Sequence, residues 1–234
     1  MSPRAGARPA RPPGTPDMRF QLRQGLHFCR AGDLAIFLDV ANDRYFALTE
    51  TLSAAFLRLA DNSIRPVDEV ALESLVGTVL VRGPGGPPAT AALPVCPGRS
   101  AWDHASTPHW GAVLGAMAAV IGARRALRRR GLEYNLEKLA ICKTTPGLIP
   151  DDLDAAAPVA AAFRAATRYM SANDQCLPHS VAVATQLFRR GVPATFVIGV
   201  IARPFQAHCW VQVDDLVVND RIDTVRDFTP ILVI

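Results

Sequence analysis

The stretch that decides the fold is residues 176–220, CLPHSVAVATQLFRRGVPATFVIGVIARPFQAHCWVQVDDLVVND. Its first part, 176–190, has apolar residues at helical spacing and stops at a glycine, which predicts a helix. Residues 194–202 are rich in branched side chains and predict a strand. Residues 207–213 and 216–220 then predict the two strands of a hairpin. A helix followed directly by antiparallel strands indicates that this part of the chain folds as one unit.

More helices are predicted before this stretch and one more strand after it. The helices are expected at 110–130, 132–142 and 159–170, with Gly131 ending the first. The last strand is expected at 229–234, TPILVI. Helices first and an antiparallel sheet afterwards are typical of an α+β fold.

The composition favours a folded, cytoplasmic protein. Half of the residues are hydrophobic and a fifth are charged, so sizeable cores are expected. The formal net charge of +4 is mild, and much of the excess arginine lies in residues 1–17 and 124–130, so no nucleic-acid partner is expected. Residues 1–17 contain no apolar segment and are predicted to be a disordered arm rather than a signal peptide.

The longest apolar stretch is residues 110–123. It is shorter than the ~20 residues that a membrane helix needs, so it is predicted to be a buried core helix. The arginines at 124–130 follow at once and leave a peripheral membrane role open.

The five cysteines are odd in number and have no CxxC spacing. This pattern indicates reduced thiols rather than a disulfide framework or a metal site. They are Cys29, Cys96, Cys142, Cys176 and Cys209.

A segment rich in proline and glycine, residues 83–100, is predicted to be a linker between two domains, 18–82 and 101–234. In the first domain, strands are predicted at 26–30, 34–39 and 44–48. Helices should follow, capped by Thr49 and Asp68, with the second continuing to Val79. Three strands followed by helices predict a small winged-helix-like unit.

Cys176 is expected at or near a helix N-terminus, where the helix dipole lowers the pKa of a thiol. Its backbone N–H is the candidate donor to an oxyanion, while the side chain of Gln175 is not assigned that role. A free cysteine is more often a buried structural residue, so Cys176 alone does not define a site.

The hairpin supplies a histidine and an acid. With a three-residue turn at 213–215, His208 would lie opposite Asp220 on the same face of the sheet. A two-residue turn at 214–215 would place them on opposite faces. An imidazole can take the proton of a thiol, and a carboxylate behind it fixes its tautomer. The order cysteine, histidine, acid is that of papain and transglutaminase-type enzymes.

The segments CLPHSVAVATQLFRRGVPATFVIGV, RPFQAHCWVQVDD and VVNDRID resemble the B protein of lasso-peptide biosynthesis, a transglutaminase-like cysteine protease. The resemblance is close over residues 155–234. It implies a catalytic triad of Cys176, His208 and Asp220 that removes the leader from a ribosomally made precursor. It also implies an asparagine-synthetase-like cyclase as partner, a dependence on ATP, and no covalently bound cofactor.

Two residues depart from the family pattern. Cys209 stands where alanine is usual after the histidine, and Asp215 stands where glycine is usual in the turn. We expect the side chain of Cys209 to point to the sheet face opposite His208 and to have no catalytic role. Trp210 shares the His208 face, whereas His179 is expected at the surface or cleft wall and Ser180 in packing or bonding to the backbone.

Residues 32–59 resemble the PqqD-like domain that recognises leader peptides, on the motif Tyr45-Phe46-Ala47-Leu48-Thr49. In such domains the leader adds a strand to the sheet edge, so main-chain bonds give affinity and pockets give selectivity. The implied leader-binding residues are Arg44, Tyr45, Phe46, Ala47, Leu48, Leu72 and Leu75.

Two alternatives stay open at this point. An acyl transferase of the transglutaminase or arylamine N-acetyltransferase type would use the same three side chains. A non-enzymatic winged-helix regulator is the other, although Asp68, Glu69 and Glu73 make the second helix acidic and disfavour DNA binding.

Overall fold

The structure is a computed structural model that describes residues 19–103, 107–143, 152–170 and 176–234. The predicted disordered arm, 1–17, and the residues just before Cys176, including Gln175, lie outside the described residues. The described chain has mixed α+β architecture, as predicted.

The N-terminal part is built on a three-stranded antiparallel sheet with the order β2-β3-β4. Its strands are β2 (Leu26–Ala31), β3 (Leu34–Asp39) and β4 (Arg44–Ala47), which confirms the three predicted strands within one residue. Two further strands were not predicted. They are β1 (Arg19–Leu22) and β5 (Leu80–Gly83), which pair with each other and join the two ends of this part of the chain.

Two helices follow the sheet. The first, α1 (Glu50–Ala60), begins after Thr49 as predicted, although the threonine side chain makes no cap bond. The second, α2 (Glu69–Ser74), is shorter than predicted, so its expected continuation to Val79 is wrong. Asp68 precedes α2 but does not cap it, because its buried carboxylate binds the guanidinium of Arg58, with Nε 2.7 Å from Oδ2.

The N-terminal sheet is buried on both faces. On one face, the rings of Phe28 and Phe37 each lie with their centroids 4.9 Å from that of Phe56 on α1. On the other face, Ile36 and Leu38 belong to the core of the C-terminal part. Burial on both sides explains the uninterrupted apolar run of β3, which an antiparallel sheet with one wet face would not need.

Three long helical segments open the C-terminal part. They are α3 (Trp110–Lys143), α4 (Asp152–Thr167) and α5 (Cys176–Arg189). Gly131 interrupts α3 with φ 77° and ψ 177°, so two helices meet at the predicted glycine. A left-handed Gly191 follows α5, as expected for a helix C-terminus.

The apolar half of α3 is only partly a core helix. One stripe, Val113, Ala116 and Val120, is buried in the core that α3 shares with α4 and α5. Trp110 and Leu114 are 65% and 60% exposed, so the expectation of a buried helix is right for one stripe only. By length and composition alone, α3 could cross a membrane.

A five-stranded sheet completes the C-terminal part, in the order β10-β7-β8-β9-β6. Its pairs are antiparallel except β6 with β9, which is parallel. A short helix, α6 (Ile222–Val225), lies between the last two strands in sequence. The strands are β6 (Arg99–Ser100), β7 (Thr195–Ile201), β8 (Gln206–Val213), β9 (Leu216–Val217) and β10 (Thr229–Val233).

The β8–β9 hairpin has a two-residue turn, because Val213 pairs with Leu216. The predicted three-residue turn is therefore wrong. The left-handed residue is Asp214, with φ 49°. Asp215 binds Arg99 at the end of the linker, with a guanidinium nitrogen 2.6 Å from Oδ1.

Candidate active site

His208 and Asp220 form a short hydrogen bond, with Nε2 2.6 Å from Oδ2. His208 lies near the start of β8, and Asp220 is the third residue after β9. The two side chains therefore meet, as the sequence predicted. The turn before them, however, has two residues instead of the three that were expected to bring them to the same face.

The explanation lies in the early end of β9. The ladder continues as far as the bond from Val218 N to Val211 O, at 2.8 Å. The next main-chain acceptor is replaced, because Val211 N donates to the side-chain oxygen of Asn219 at 2.7 Å. A two-residue turn would misplace Asp220 only if the strand stayed regular up to that residue. The chain leaves the ladder before then.

Asn219 also ties the sheet to helix α5. Its amide nitrogen donates to Ser180 Oγ at 2.9 Å, and Ser180 Oγ donates to the carbonyl of Cys209 at 2.8 Å. Ser180 thus bonds to the backbone, as expected. His179 was expected at the surface or cleft wall, and this is wrong: it is buried, with its ring edge-on to Phe163 at 5.5 Å. The role of Asn219 was missed, and its only signal is its place beside Asp220.

Cys176 is the first residue of α5, and its thiol contacts both Cys209 and His208. The hydrogen bond with Cys209 is the largest influence on its pKa. Burial opposes ionisation, but this bond and the one with His208 outweigh it and lower the pKa of Cys176 to about 4.

The position of Cys209 was only half anticipated. Strand alternation places its side chain on the face opposite His208, as expected. That face packs against α5, which carries Cys176, so the buried Cys209 thiol lies against the candidate nucleophile. Burial raises the pKa of Cys209 well above its ordinary value, which keeps it protonated and able to donate.

The charges of the other two groups are set by the same contacts. Burial opposes the protonation of His208, but hydrogen bonds to Asp220 and Cys176 raise its pKa to about 9. Burial also opposes ionisation of Asp220, yet the bonds from His208 and from Arg221 N, at 2.7 Å, lower its pKa. Between about pH 4 and pH 9 the site therefore holds a thiolate, an imidazolium and a carboxylate.

Aromatic side chains back the imidazole. The ring of Phe228 lies 5.4 Å from that of His208, and Trp210 is buried on the same sheet face. Gly199 pairs with His208, and a methyl group there would come within 2.8 Å of Trp210. The glycine therefore lets the indole lie close behind the histidine, which limits access of water from that side.

Cys176 and His208 face a cleft of about 390 Å³. This volume is in the range of ligand-binding sites. Besides Cys176 and His208, it is lined by residues of the N-terminal part, α3, α5, β7 and β8: Asp43, Tyr45, Arg124, Leu127, Arg128, Leu132, Leu177, Pro178, Ile198, Ala207 and Cys209. The contribution of the N-terminal sheet to this cleft was not predicted.

Of the residues implied in leader binding, those at β4 lie at the cleft or on the sheet edge, whereas the two leucines of the second helical region are buried. Tyr45 lines the cleft, and its ring lies 5.5 Å from that of Phe205. Arg44, Phe46, Ala47 and Leu48 lie on or just after the edge strand β4. Leu72 and Leu75 do not line a surface. They are 0% and 4% exposed in the core of the N-terminal part, which corrects their assignment.

The N-terminus of α5 offers main-chain donors. The first N–H groups of a helix have no partner inside it, so the backbone N–H of Cys176 stays a candidate oxyanion donor. Within the described residues, no group of three or more His, Cys, Asp or Glu side chains is arranged to hold a metal ion.

The sequence profile of the transglutaminase-like superfamily matches residues 117–233, half of the chain. No curated protein and no solved structure matches the chain significantly. The matched region includes Cys176, His208 and Asp220, and the superfamily generally holds cysteine proteases and acyl transferases. On this match, the chain belongs to the transglutaminase-like superfamily.

Proposed function

We propose that this protein is a cysteine endopeptidase that removes the leader peptide from a ribosomally made lasso-peptide precursor. The observation that carries the proposal is the continuity between two features. The edge of the N-terminal sheet, at Asp43 and Tyr45, lines the same cleft as Cys176 and His208. A peptide held on that edge would have its next residues beside the thiol.

The outer edge of β4 can accept an additional strand. Leu48 N donates to Ala35 O at 3.4 Å, and the register alternates from that pair along β4. Tyr45 and Ala47 therefore belong to the pairs whose N–H and C=O groups point away from β3. A leader peptide could use these groups, since adding a strand satisfies an exposed edge.

The direction of the added strand favours cleavage at the end of the leader. An antiparallel peptide would run past Ala47 first and past Arg44 last. Its C-terminal end would then reach Asp43 and Tyr45, the part of the sheet that lines the cleft. The junction between leader and core would thus be delivered to Cys176.

The proposed reaction uses the charges of the site. The Cys176 thiolate attacks the scissile carbonyl, and the backbone N–H of Cys176 stabilises the oxyanion. His208 gives its proton to the departing amine of the core, which leaves a thioester with the leader. A water molecule then loses a proton to His208 and attacks the thioester, releasing the leader with a new carboxylate. Asp220 holds the imidazole in place throughout.

The products define the proposed partner. Cleavage frees the amino group of the core, but closing a macrolactam also requires an activated carboxyl group. An asparagine-synthetase-like cyclase in the cytoplasm would supply that activation and consume ATP. The dependence on ATP is accordingly assigned to the pair of proteins, and no step of the cleavage is assigned to ATP.

The test is incubation of the purified protein with a candidate precursor peptide, to be sought among short reading frames near its gene, followed by mass spectrometry. Arms with and without ATP and the partner cyclase are compared. We expect two shorter peptides from the wild type, no cleavage but retained leader binding for Cys176→Ala, and full cleavage for the matched Cys142→Ala variant. A mass adduct without backbone cleavage would show acyl transfer instead. If the Cys176→Ala variant keeps the biological activity of the wild type, the protein would be a non-enzymatic regulator.

The sheet edge has its own test. Ala47→Pro removes an N–H that points outward and leaves the pairing with β3 intact. We expect fluorescence anisotropy to show weaker binding of a labelled leader, while Ala47→Ser, which keeps the N–H, binds as the wild type does. Equal binding by both variants would exclude strand addition at β4.

A further inference from the structure

Two arginines of helix α3, Arg124 and Arg128, line the cleft that contains Cys176. They are four residues apart, so they lie on the same face of the helix, one turn apart. Arg125 and Arg129 belong to the same helix but do not line the cleft. Arginines near the C-terminal end of a helical segment interact favourably with its dipole, whichever face they lie on. The dipole therefore does not explain why two of them face the cleft.

Within the part of the chain that the structure describes, these two guanidinium groups form no ion pair. Across the described ranges, no carboxylate lies within 4.0 Å of Arg124 or Arg128. The hydrogen bonds that lower the pKa of Cys176 come from Cys209 and His208. The arginine charges are thus neither neutralised by a described carboxylate nor used in the contacts that ionise the thiol.

The distribution of charge in the cleft is uneven. The α3 wall carries two cations, whereas Asp43, on the wall formed by the N-terminal sheet, is the one acidic side chain among the lining residues that the structure describes. Arginine presents a planar fork that matches a carboxylate with two parallel hydrogen bonds. Because Arg124 is half-buried, its pairing with a ligand would be screened less than at an open surface.

We propose that Arg124 and Arg128 form a subsite for a carboxylate of the substrate, so that the enzyme prefers a peptide with an acidic side chain close to the scissile bond. This inference rests on the proposed function for the peptide nature of the substrate. The subsite itself requires only the cleft, its two arginines and the reactive thiol.

The experiment uses short alkylating peptides, so the natural precursor is not needed. The probes are bromoacetyl-Asp-amide and bromoacetyl-Asn-amide, together with versions in which one or two glycines precede the Asp or Asn. The Cys176 thiolate displaces bromide and forms a thioether, which mass spectrometry locates. The measured quantity is the ratio of second-order rate constants for each Asp probe and its Asn counterpart.

The variants separate direct contact from general attraction. We expect the wild type to favour the Asp probe by about tenfold at one spacing, which corresponds to ~1.4 kcal/mol. The double variant Arg124→Gln/Arg128→Gln should reduce that ratio to below about twofold. Arg125→Gln/Arg129→Gln removes the same net charge from the same helix and should keep the preference. Alkylation by neutral bromoacetamide should be equal in all three proteins, which verifies an intact site.

The alkylation experiment distinguishes failure of the carboxylate subsite from failure of the proposed protease function. A ratio near one at every spacing, or an equal loss in both double variants, would overturn the carboxylate subsite even if the precursor is cleaved. An unreactive Cys176 would instead count against the proposed protease, since a thiolate is required for both reactions.

Discussion

Replacing Asp220 with asparagine should shift the pH at which His208 loses its proton. The structure gives His208 a raised pKa of about 9, supported by hydrogen bonds to Asp220 and Cys176 that outweigh the effect of burial. The Asp220→Asn variant keeps the size of the side chain and removes its charge. The imidazolium then loses one of its two anionic partners.

The magnitude follows from the bond that is weakened. A hydrogen bond to a charged group contributes about 1.5–3 kcal/mol, which equals about 1–2 pKa units. The pKa of His208 should therefore fall to roughly 7–8. A raised histidine pKa means that the charged pair exists below that pH and is lost as the pH rises through it. In the variant, the upper limit of the thiolate–imidazolium window should move down by the same amount.

The assay is the rate of alkylation of Cys176 by bromoacetamide as a function of pH. In the wild type, the rate should rise near pH 4 as the thiolate forms and change again near pH 9 as His208 deprotonates. In Asp220→Asn the second step should appear about 1–2 units lower. Asp223→Asn, which changes an exposed carboxylate close by in the chain, should follow the wild-type profile. An upper step that stays near pH 9 in Asp220→Asn would refute the assignment of Asp220 as the group that holds the proton on His208.

Two further variants test the surroundings of the site. Cys209→Ala removes the thiol that donates to Cys176 and should raise the pKa of Cys176 by about 1–2 units, measured from thiolate absorbance in the ultraviolet. Gly199→Ala places a methyl group 2.8 Å from Trp210 and 2.9 Å from Cβ of Phe228. It should lower the free energy of unfolding by about 1–3 kcal/mol, seen as a lower midpoint in urea.

Each of these variants has a matched control in the same chain. Cys29→Ala changes another buried cysteine, in β2, and should leave the pKa of Cys176 unchanged. Gly115→Ala adds a methyl group with no atom within 4 Å inside a helix, so it should be neutral or stabilising by up to ~1 kcal/mol. An unchanged thiol pKa in Cys209→Ala, or equal stability of the two glycine variants, would contradict the contacts described above.

Local patterns identified most of the helices and the longer strands. The helix that begins at Cys176, the helix break at Gly131 and the strands β2, β3, β7 and β8 all follow from spacing and turn residues over a few positions. The short strands were missed for the opposite reason. β1 pairs with β5 about sixty residues away, and four-residue segments have no strand signal of their own without that partner.

The candidate site shows the same division. The sequence predicted Cys176, His208 and Asp220 as the site residues, because a cysteine at a helix start and a histidine and an acid on a hairpin are local features. The structure brings His208 and Asp220 into hydrogen-bond contact. The hairpin geometry derived for the last two was wrong, since the side chain of Asn219 ends the ladder by taking a main-chain N–H. The alternation of residues along a strand does not reveal where a side chain replaces a backbone acceptor and ends the ladder.

The sequence by itself thus predicted the longer helices and strands, their order and the candidate residues Cys176, His208 and Asp220, because each of these predictions depends on neighbours within a few residues. Tertiary structure alone decided that Cys209 contacts the thiol, that Asp43 and Tyr45 line the cleft, and that Leu72 and Leu75 are buried. Those contacts join segments far apart in the chain, and their geometry depends on how the helices and sheets pack.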